Sequence, residues 1–311
     1  MGEPNMPGDP LPSARPHARL ADYTTFGLGG PCRTLWPCAT PDQLTAALSK
    51  LRQQAVPYAL MGGGSNLLVD DTGLDLSVVR YFSTQPDIQI NGNQVLVSGA
   101  TLLDALAATT AAAGLDGVVY CSGIPGTVGG AVVGNAGAFG QQIGDVVAYI
   151  DYLEADGTRR QLPGTELGFA YRQSNLRSRG GVVLAAALQL RPGNVTALQA
   201  QREERLQLRR AKHPDWRTEP CIGSIFRNIE PTSAAGRRQA AGWFLEQAGA
   251  KSMRVGGAYV YPKHANIIVR TPDGTAHDVK NLADRMQAAV RAAFGFTLHR
   301  EVILWGDFAG I

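Results

Sequence analysis

Residues 123–144 read GIPGTVGGAVVGNAGAFGQQIG, and the composition of this stretch is unusual inside an ordered chain. Eight of its twenty-two residues are glycine, and apolar residues and one asparagine lie between them, unlike in a flexible linker. Glycine loses more conformational freedom on folding than any other residue, so a high density of it requires a reason. Close approach of the backbone to another group, or a run of left-handed conformations, would supply that reason.

A second glycine-rich element, MGGGSNLLVD at 61–70, follows a predicted strand at 56–60. Successive backbone N–H groups in such turns can hold an anion, usually a phosphate. For GGGSN alone a tight turn between two strands explains the glycines equally well, but two such elements in one domain favour a diphosphate cofactor. The chain contains neither of two common phosphate-binding glycine motifs, the P-loop and GxGxxG followed by a long helix.

The composition excludes several classes of protein. A chain of 311 residues with 44% hydrophobic residues predicts two or three globular domains. The net charge of +3 is mild, and the one dense basic segment, 202–217, is interrupted by acids, which favours a pocket for a small anion over nucleic acid. No apolar run approaches the roughly 20 residues that span a bilayer. With no signal pattern, a flexible tail at 1–19 and no membrane partner, the sequence predicts a cytoplasmic protein.

The cysteines and histidines predict no metal site. Cys32, Cys38, Cys121 and Cys221 form no CxxC pair, and the five histidines are scattered along the chain. Four buried or idle thiols in a reducing compartment is the simplest interpretation of the cysteines.

Local patterns predict a mixed α+β fold with a domain boundary near residue 192. Thr40 and Gln43 predict the start of a helix over 41–54, and a second helix is predicted over 101–114 from an N-cap at Thr101. The other predicted helices are 197–212, 237–248 and 279–294. The other predicted strands are 94–98, 146–157, 181–190, 265–270 and 301–305.

Six motifs occur in one order along the chain: TTFGLGG (24–30), MGGGSNLLV (61–69), GIPGTVGGAVVGNAGAFG (123–140), FAYRQS (169–174), GSIFRN (223–228) and REVILWG (300–306). Together they resemble the UDP-N-acetylenolpyruvoylglucosamine reductase (MurB) family, flavoenzymes of bacterial peptidoglycan precursor synthesis. The resemblance runs from about residue 20 to the C-terminus. The short segment after YRQS resembles the short, or type II, form of the family.

The resemblance implies two domains and a cofactor. Residues 20–192 would form an FAD-binding domain of the vanillyl-alcohol-oxidase (PCMH) type, made of two subdomains split near residue 80. Residues 193–311 would form an α+β substrate-binding domain. The two glycine elements would hold the pyrophosphate of non-covalently bound FAD, through Gly62, Gly63, Gly64, Ser65, Asn66, Leu67, Gly123, Ile124, Pro125, Gly126, Gly129, Gly130, Asn135 and Gly137.

The implied reaction reduces UDP-N-acetylglucosamine enolpyruvate to UDP-N-acetylmuramate. NADPH would reduce FAD, and flavin N5 would then deliver hydride to the β-carbon of the enolpyruvyl ether. By this resemblance Ser224 gives the proton to the α-carbon, and Arg172 pairs with the substrate carboxylate. Glu301 would hydrogen-bond the enol, either protonated or neutralised by Arg172.

The resemblance also implies substrate contacts at Lys212 and Asn228, with Arg209 as a weaker candidate and His264 left undecided. The substrate would be a UDP-sugar, and NADPH and this substrate would be the small-molecule partners. Two departures leave open how the UDP end is held: Ile303 stands where short-form relatives often carry a basic residue, and GSIFRNIEP replaces GSxFKNP.

Two other functions stay open on the sequence alone. One is an oxidase with the same FAD fold. No histidine lies between His17 and His213 to form a histidyl flavin link, although Cys121 could form a cysteinyl link. The other is a non-catalytic nucleotide-binding protein, which would keep the glycine elements but have no need of Arg172, Ser224 and Glu301 together.

Overall fold

The computed structural model of the chain describes residues 11–230 and 238–308. Its strands, most of them short, are β1 Arg15–Pro16, β2 Cys32–Cys38, β3 Tyr58–Met61, β4 Leu67–Val69, β5 Leu74–Tyr81, β6 Ile88–Asn91, β7 Gln94–Ser98, β8 Leu115–Asp116, β9 Gly137–Ala138, β10 Gln141–Gln142, β11 Val147–Leu153, β12 Arg159–Pro163, β13 Val182–Gln189, β14 Arg191–Pro192, β15 Arg254–Val255, β16 Ala258–Val260, β17 Ile268–Arg270 and β18 Ile303–Trp305. Its α-helices are α1 Pro41–Gln53, α2 Leu103–Ala112, α3 Val128–Gly134, α4 Leu176–Arg179, α5 Val195–Lys212, α6 Ala241–Gln247 and α7 Ala276–Phe294. Short 3-10 helices lie at Leu20–Tyr23, Val119–Cys121, Ile143–Asp145, Gly164–Glu166 and Ala250–Ser252.

The chain divides into two compact units that interleave in sequence. The first unit contains Met1–Ala18, Arg33–Gly63 and Leu76–Arg209, and the second contains Arg19–Cys32, Gly64–Asp75 and Arg210–Ile311. The domain boundary predicted near residue 192 therefore falls inside the first unit.

One sheet of the first unit has the strand order β1-β2-β5-β3, and α1 packs against it. The helix forms as predicted because Thr40 caps it: the Gln43 N–H donates to Thr40 Oγ1 (3.2 Å), and Gln43 Oε1 accepts from the Ala39 N–H (2.9 Å). Leu44, Leu48 and Leu51 of this helix are buried against Trp36 and its neighbours.

The other large sheet of the first unit has the order β12-β11-β13-β7-β6 and is antiparallel throughout. Its core includes residues of α2 and α3. The prediction of Thr101 as the N-cap of α2 is wrong, since Leu102 occupies that position. The Thr101 hydroxyl instead accepts a hydrogen bond from the Asp87 N–H (3.2 Å), ahead of β6. In chain order, β5 is the last strand of the first sheet and ends at Tyr81. The first strand of the larger sheet, β6, begins at Ile88.

The second unit holds the antiparallel strands β15-β16-β17, the parallel pair β4 and β18, and the helices α6 and α7. α7 begins three residues earlier than predicted because Thr275 and Asp278 form a reciprocal capping box there. α6 begins at Ala241, so the prediction of a helix from 237 is wrong over 238–240, and residue 237 lies outside the described residues.

The predicted flexible tail over residues 1–19 needs correction. Arg15 and Pro16 pair with Leu35 and Thr34 of β2, and Leu11 packs against the core beneath α1. Residues 1–10 of that tail lie outside the described residues. Across 11–230 and 238–308, no helix combines the length and the apolar character needed to cross a membrane.

Candidate functional site

The two glycine elements contact each other within the first unit. A Cβ atom added to Gly62 would lie 2.5 Å from Thr127 Oγ1, and one added to Gly63 would lie 3.1 Å from the Cα of Gly126. Both glycines therefore lack a side chain because the second glycine stretch occupies that space. The structure brings together two segments separated by about sixty residues, as the diphosphate interpretation requires.

Part of the second glycine stretch forms a short helix, α3, that the sequence did not predict. Thr127 begins it, since its hydroxyl accepts from the Gly130 N–H (3.3 Å). Gly129 is needed for packing, because an added Cβ would lie 3.1 Å from the Gly99 carbonyl oxygen. Gly130 differs: it is exposed, and the nearest atom to an added Cβ is Thr127 Oγ1 at 3.5 Å. Protein packing alone does not require glycine at position 130.

Two further predicted cofactor residues shape the loop after α3. Asn135 ends the helix in the left-handed conformation (φ 45°) and is fully buried. Its amide donates to Ala170 O (2.8 Å) and Gln142 Oε1 (3.0 Å), while its oxygen accepts from the Gly144 N–H (3.0 Å). In the β9–β10 hairpin, a Cβ on Gly137 would collide with the carbonyl oxygen of the hairpin's other strand. A direct FAD contact by Asn135 or Gly137 stays a prediction.

Arg172 lies at the tip of a tight turn in the first unit. The turn is closed by two backbone hydrogen bonds between Ala170 and Gln173 (3.1 and 3.0 Å), and Arg172 has a φ of 55°. A non-glycine residue held in this conformation is strained by about 1 kcal/mol or more and marks a site that its surroundings determine. The turn is anchored to α3, because Ser174 Oγ donates to Val133 O (2.7 Å) and Ala170 O accepts from the Asn135 amide.

The rest of the first glycine element belongs to the second unit. Gly64 has a φ of 63°, and its carbonyl accepts from the Thr25 N–H (3.2 Å). Thr25 Oγ1 also donates to Cys221 O (2.8 Å), so the TTFGLGG segment links Gly64 to the chain preceding Ser224. Ser65 follows Gly64, and Leu67 begins β4, where it pairs with Ile303.

Ser224 and Glu301 lie on neighbouring backbone segments of the second unit. The Glu301 N–H donates to Ile225 O (2.8 Å), and Phe226 pairs with Arg300 in an antiparallel bridge. Ser224 is only partly buried, follows a glycine with a φ of 75°, and its hydroxyl forms no hydrogen bond with the described residues of its own unit. The structure therefore places two of the three predicted catalytic residues next to each other in the fold.

Asn66 and Asn266 hold these two segments in place. Asn66 Nδ2 donates to Glu301 O (3.1 Å), and its own carbonyl accepts from the Ile303 N–H (3.1 Å). Asn266 is almost fully buried, and its amide accepts from the Phe226 N–H (3.0 Å) and donates to Phe226 O (2.8 Å). The side chain of Asn66 therefore positions the backbone of Glu301, and the FAD contact predicted for Asn66 stays a prediction.

The predicted substrate residues are distributed over both units. Lys212 lies in the second unit near His264, whose ring is 5.3 Å from that of His213. Burial, together with the charges of Lys212 and Lys251, lowers the pKa of His264, so its ring is neutral at neutral pH. Asn228 Oδ1 accepts from the Ala241 N–H (3.1 Å) at the start of α6.

Arg209 lies in the first unit, and its side chain packs against Gly123 in the second glycine stretch. The substrate contact predicted for Arg209 stays a prediction.

Sequence reasoning missed three residues that shape this region: Thr127, Asn266 and Asp104. Thr127 carried only a weak signal, since threonine is a common N-cap residue but the glycines after it predict no helix. Asn266 and Asp104 carried no local signal, because their partners lie tens of residues away in sequence. Within the described ranges, no group of three or more histidine, cysteine or acidic residues could hold a metal ion.

The glycine region fits a diphosphate cofactor. The backbones of Gly62 and Gly63 lie directly against Thr127 and Gly126, and Gly126 has a φ of 120° that side chains rarely adopt. Gly130 leaves an exposed backbone face beside them. Such a glycine-lined surface allows a phosphate to approach the main chain at close range.

Two protein-family models match the chain. The model described as FAD binding domain matches residues 35–162, and the model of the C-terminal domain of UDP-N-acetylenolpyruvoylglucosamine reductase matches residues 214–305. The first match runs from within β2 to within β12, and so covers part of each of the two large sheets of the first unit. The presence of an FAD-binding domain is thus confirmed, while its predicted bounds, 20–192, stay a prediction.

Relatives match over nearly the whole chain. A UDP-N-acetylenolpyruvoylglucosamine reductase of Moorella thermoacetica is 39% identical over 93% of this chain and 92% of its own length. One from Anoxybacillus flavithermus is 37% identical over 94% and 95%. The crystal structure of the MurB protein of Thermus caldophilus matches with a TM-score of 0.76 and 32% identity, covering 93% of this chain and 98% of that one. The chain therefore belongs to the UDP-N-acetylenolpyruvoylglucosamine reductase (MurB) family and is an FAD-dependent oxidoreductase.

Proposed function

We propose that this protein reduces UDP-N-acetylglucosamine enolpyruvate to UDP-N-acetylmuramate with NADPH, a step of peptidoglycan precursor synthesis. Family membership supports the reaction. The observation that carries the proposal is the pairing of the Ser224 and Glu301 segments through the Glu301 N–H and Ile225 O (2.8 Å). A proton donor and a group able to stabilise an enolate are the two functions this reduction requires.

The glycine elements are proposed to bind the pyrophosphate of FAD, and FAD, when bound, supplies the hydride that reaches the substrate β-carbon. The chain's own contribution at this site is binding and orientation. Gly62, Gly63 and Gly126 keep the backbone close, and Gly130 offers an exposed face.

Ser224 is proposed to protonate the substrate α-carbon. A serine hydroxyl is a very weak acid, so it can act only on a strongly basic acceptor such as the enolate formed after hydride addition. Its position supports this role, because among the described residues of its unit no group hydrogen-bonds its hydroxyl.

Arg172 and Glu301 are proposed to stabilise the negative charge. A guanidinium can pair with the substrate carboxylate through two parallel hydrogen bonds, which strengthen as charge develops on the enolate. Glu301 would hydrogen-bond the enol, provided that it is protonated or neutralised by Arg172. The backbone hydrogen bonds between Ala170 and Gln173 fix the turn that carries Arg172, and the hydrogen bond of Asn66 to Glu301 O fixes the backbone at Glu301.

We assign a different ligand to each of the two predicted domains as part of the same proposal. Residues 20–192 would bind FAD, and residues 193–311 would bind the UDP-sugar, with Lys212 and Asn228 as contacts. Two observations support this division: the family models match on either side of residue 192, and Lys212 lies near two histidines in the second unit.

Product analysis tests the proposed reaction. Purified protein incubated with NADPH and the enolpyruvyl substrate should convert it into a lactyl ether that is heavier by two hydrogens, with one NADPH consumed per product. An oxidase with the same FAD fold would instead leave the enolpyruvyl ether unchanged and consume oxygen with its own substrate. Failure to form the lactyl ether while FAD is bound would contradict the proposal.

The Gly130→Ala change should separate cofactor binding from folding. Alanine favours a helix over glycine by about 1 kcal/mol, and the protein leaves room for the methyl group, so thermal stability of the apoprotein should be unchanged or higher. The same methyl group would occupy the exposed face, so we expect the Kd for FAD to rise at least about tenfold, equivalent to about 1.4 kcal/mol.

Gly134→Ala is the matched control, because Gly134 lies on the same helix and an added Cβ would meet only an arginine side-chain atom at 3.6 Å. Its Kd for FAD should equal that of the unaltered protein. Titration of the apoprotein by flavin fluorescence measures both variants. A Gly130→Ala protein that binds FAD as tightly as the control would remove position 130 from the cofactor site.

The flavin should be bound without a covalent link to Cys121. This thiol is fully buried in the core of the five-stranded sheet, and burial raises its pKa to about 12, so it is neither accessible nor nucleophilic. Acid precipitation of the yellow protein should leave all the flavin in the supernatant, and Cys121→Ser should bind FAD equally. Flavin retained in the washed precipitate would refute this prediction.

A further inference from the structure

Asp104, in the first turn of α2, joins the second glycine stretch to α5. Its Oδ1 accepts from the Gly123 N–H (2.8 Å) and from Arg202 Nη1 (2.6 Å), and its Oδ2 accepts from Arg202 Nη2 (3.1 Å). The pair is therefore bidentate, which is the strongest geometry for an arginine and a carboxylate. All three residues lie in the first unit.

The start of the glycine stretch is fixed by these two helices together. Gly123 has a φ of 72°, and an added Cβ would lie 3.0 Å from the side chains of both Leu206 and Arg209 of α5. At the other end of the GIPG turn, the Leu103 N–H of α2 donates to Gly126 O (3.0 Å). The conformation of residues 123–126 thus depends on α2 and α5 as well as on the glycines themselves.

The face of α5 that turns to the glycine stretch carries a row of arginines. Arg202, Arg205 and Arg209 are spaced by three and four residues, which places them on one side of a helix. Arg205 lies over the ring of Phe139 at 4.1 Å, in the hairpin that follows α3. Part of the basic segment at 202–217 therefore faces the second glycine stretch, residues 123–144.

Charge explains why an aspartate at this place needs Arg202. A carboxylate beside a loop that binds a diphosphate repels the ligand unless its charge is neutralised. Burial would raise the pKa of Asp104, but its hydrogen bonds to Arg202 and Gly123, with the charges of Arg202 and Arg209, lower that pKa. The carboxylate is ionised, and Arg202 is its counter-ion.

We propose that Asp104 and Arg202 are a positioning pair for the FAD site: Asp104 sets the backbone of Gly123 through its N–H, and Arg202 cancels the charge that would otherwise repel the cofactor diphosphate. The inference rests on the proposed place of FAD at the glycine elements. It adds two residues that do not themselves contact FAD and that act through the loop.

The test compares Arg202→Gln, Asp104→Asn and the double variant by titrating each apoprotein with FAD. Arg202→Gln leaves the Asp104 charge uncompensated, so the Kd for FAD should rise at least tenfold and should fall again at high salt. Asp104→Asn keeps an acceptor for the Gly123 N–H and should change the Kd less than threefold. The double variant has no net charge at the pair, so its Kd should return to within threefold of the unaltered protein.

Arg179→Gln is the matched control, because Arg179 and Glu154 form another bidentate pair in the first unit, between α4 and the turn after β11. It should leave the Kd unchanged. An Arg202→Gln Kd within twofold of the unaltered protein overturns the proposal, and so does a double variant that binds as weakly as Arg202→Gln, since that would mark a packing role for Arg202. The titration contains no NADPH or enolpyruvyl substrate, so it is independent of the outcome for the proposed reaction.

Discussion

Replacing Ser224 with alanine is expected to lower turnover of the enolpyruvyl substrate by at least about 100-fold, the low end for loss of a general acid. The enolate formed at the α-carbon then has no positioned proton donor. FAD binding and reduction of the flavin by NADPH should be unchanged, because the glycine elements and their contacts do not involve the Ser224 hydroxyl. Steady-state turnover, with the rate of flavin reduction measured separately, distinguishes the two effects.

The structure offers a control for this variant within the same unit. The Ser252 hydroxyl donates to the Gly249 carbonyl on the surface (3.0 Å), so Ser252→Ala removes a hydroxyl of the same kind away from the Glu301 segment. It should retain full turnover. Ser224→Ala activity within threefold of this control would remove Ser224 from the mechanism.

Replacing Arg172 with lysine is the second change with a large expected effect. Lysine keeps the charge but presents it as a point on a flexible stem, so the two parallel hydrogen bonds to a carboxylate are lost. We expect kcat/KM for the enolpyruvyl substrate to fall by about 100-fold or more, equivalent to about 2.7 kcal/mol of transition-state stabilisation. The backbone turn should persist, because Asn135 and Ser174 hold it independently of the Arg172 side chain.

Arg160→Lys is a suitable comparison, because Arg160 is an exposed residue of β12 whose side chain forms an ion pair with Glu154 (3.6 Å). Its kinetics should match those of the unaltered protein, since surface pairs contribute little. The measurement is kcat and KM for both variants at saturating NADPH. An Arg172→Lys enzyme with unaltered kcat/KM would show that charge alone, without bidentate geometry, suffices at this position.

Local signals predicted the elements that local interactions build. The start of α1 was readable because Thr40 and Gln43 supply the capping hydrogen bonds within four residues. α3 was not readable, since a stretch with three glycines has poor helix propensity, and contacts with Gly99 and Thr101 help to hold it. Tertiary contacts also explain why the N-cap of α2 is Leu102 and not the predicted Thr101, whose hydroxyl bonds to the Asp87 N–H.

Long-range pairing limited what could be predicted about the units. β4 and β18 are parallel neighbours although Leu67 and Ile303 lie at opposite ends of the chain, and they draw the segment Gly64–Asp75 into the second unit. No composition shift near residue 64 signals that exchange. The boundary near residue 192 was predicted from a change in sequence pattern there, but the compact units do not divide at that point.

At the site, the ordered motifs predict the functional side chains, and the structure adds the residues that hold them in place. Ser224 and Glu301 came from the ordered motifs, but Asn266, which clamps the Phe226 backbone, had no such signal. The same holds for Asp104 and Arg202, whose ion pair joins residues 98 positions apart. Positioning residues of this kind are specified by three-dimensional packing, and a single sequence carries little trace of them.

The central claim is that reduced flavin in this protein is reoxidised by the enolpyruvyl substrate. Under anaerobic conditions, one equivalent of NADPH should bleach the flavin absorbance, and addition of UDP-N-acetylglucosamine enolpyruvate should restore it within the turnover time. If the flavin stays reduced with that compound, the FAD site stands but the proposed substrate is wrong, which contradicts the account and favours the oxidase interpretation.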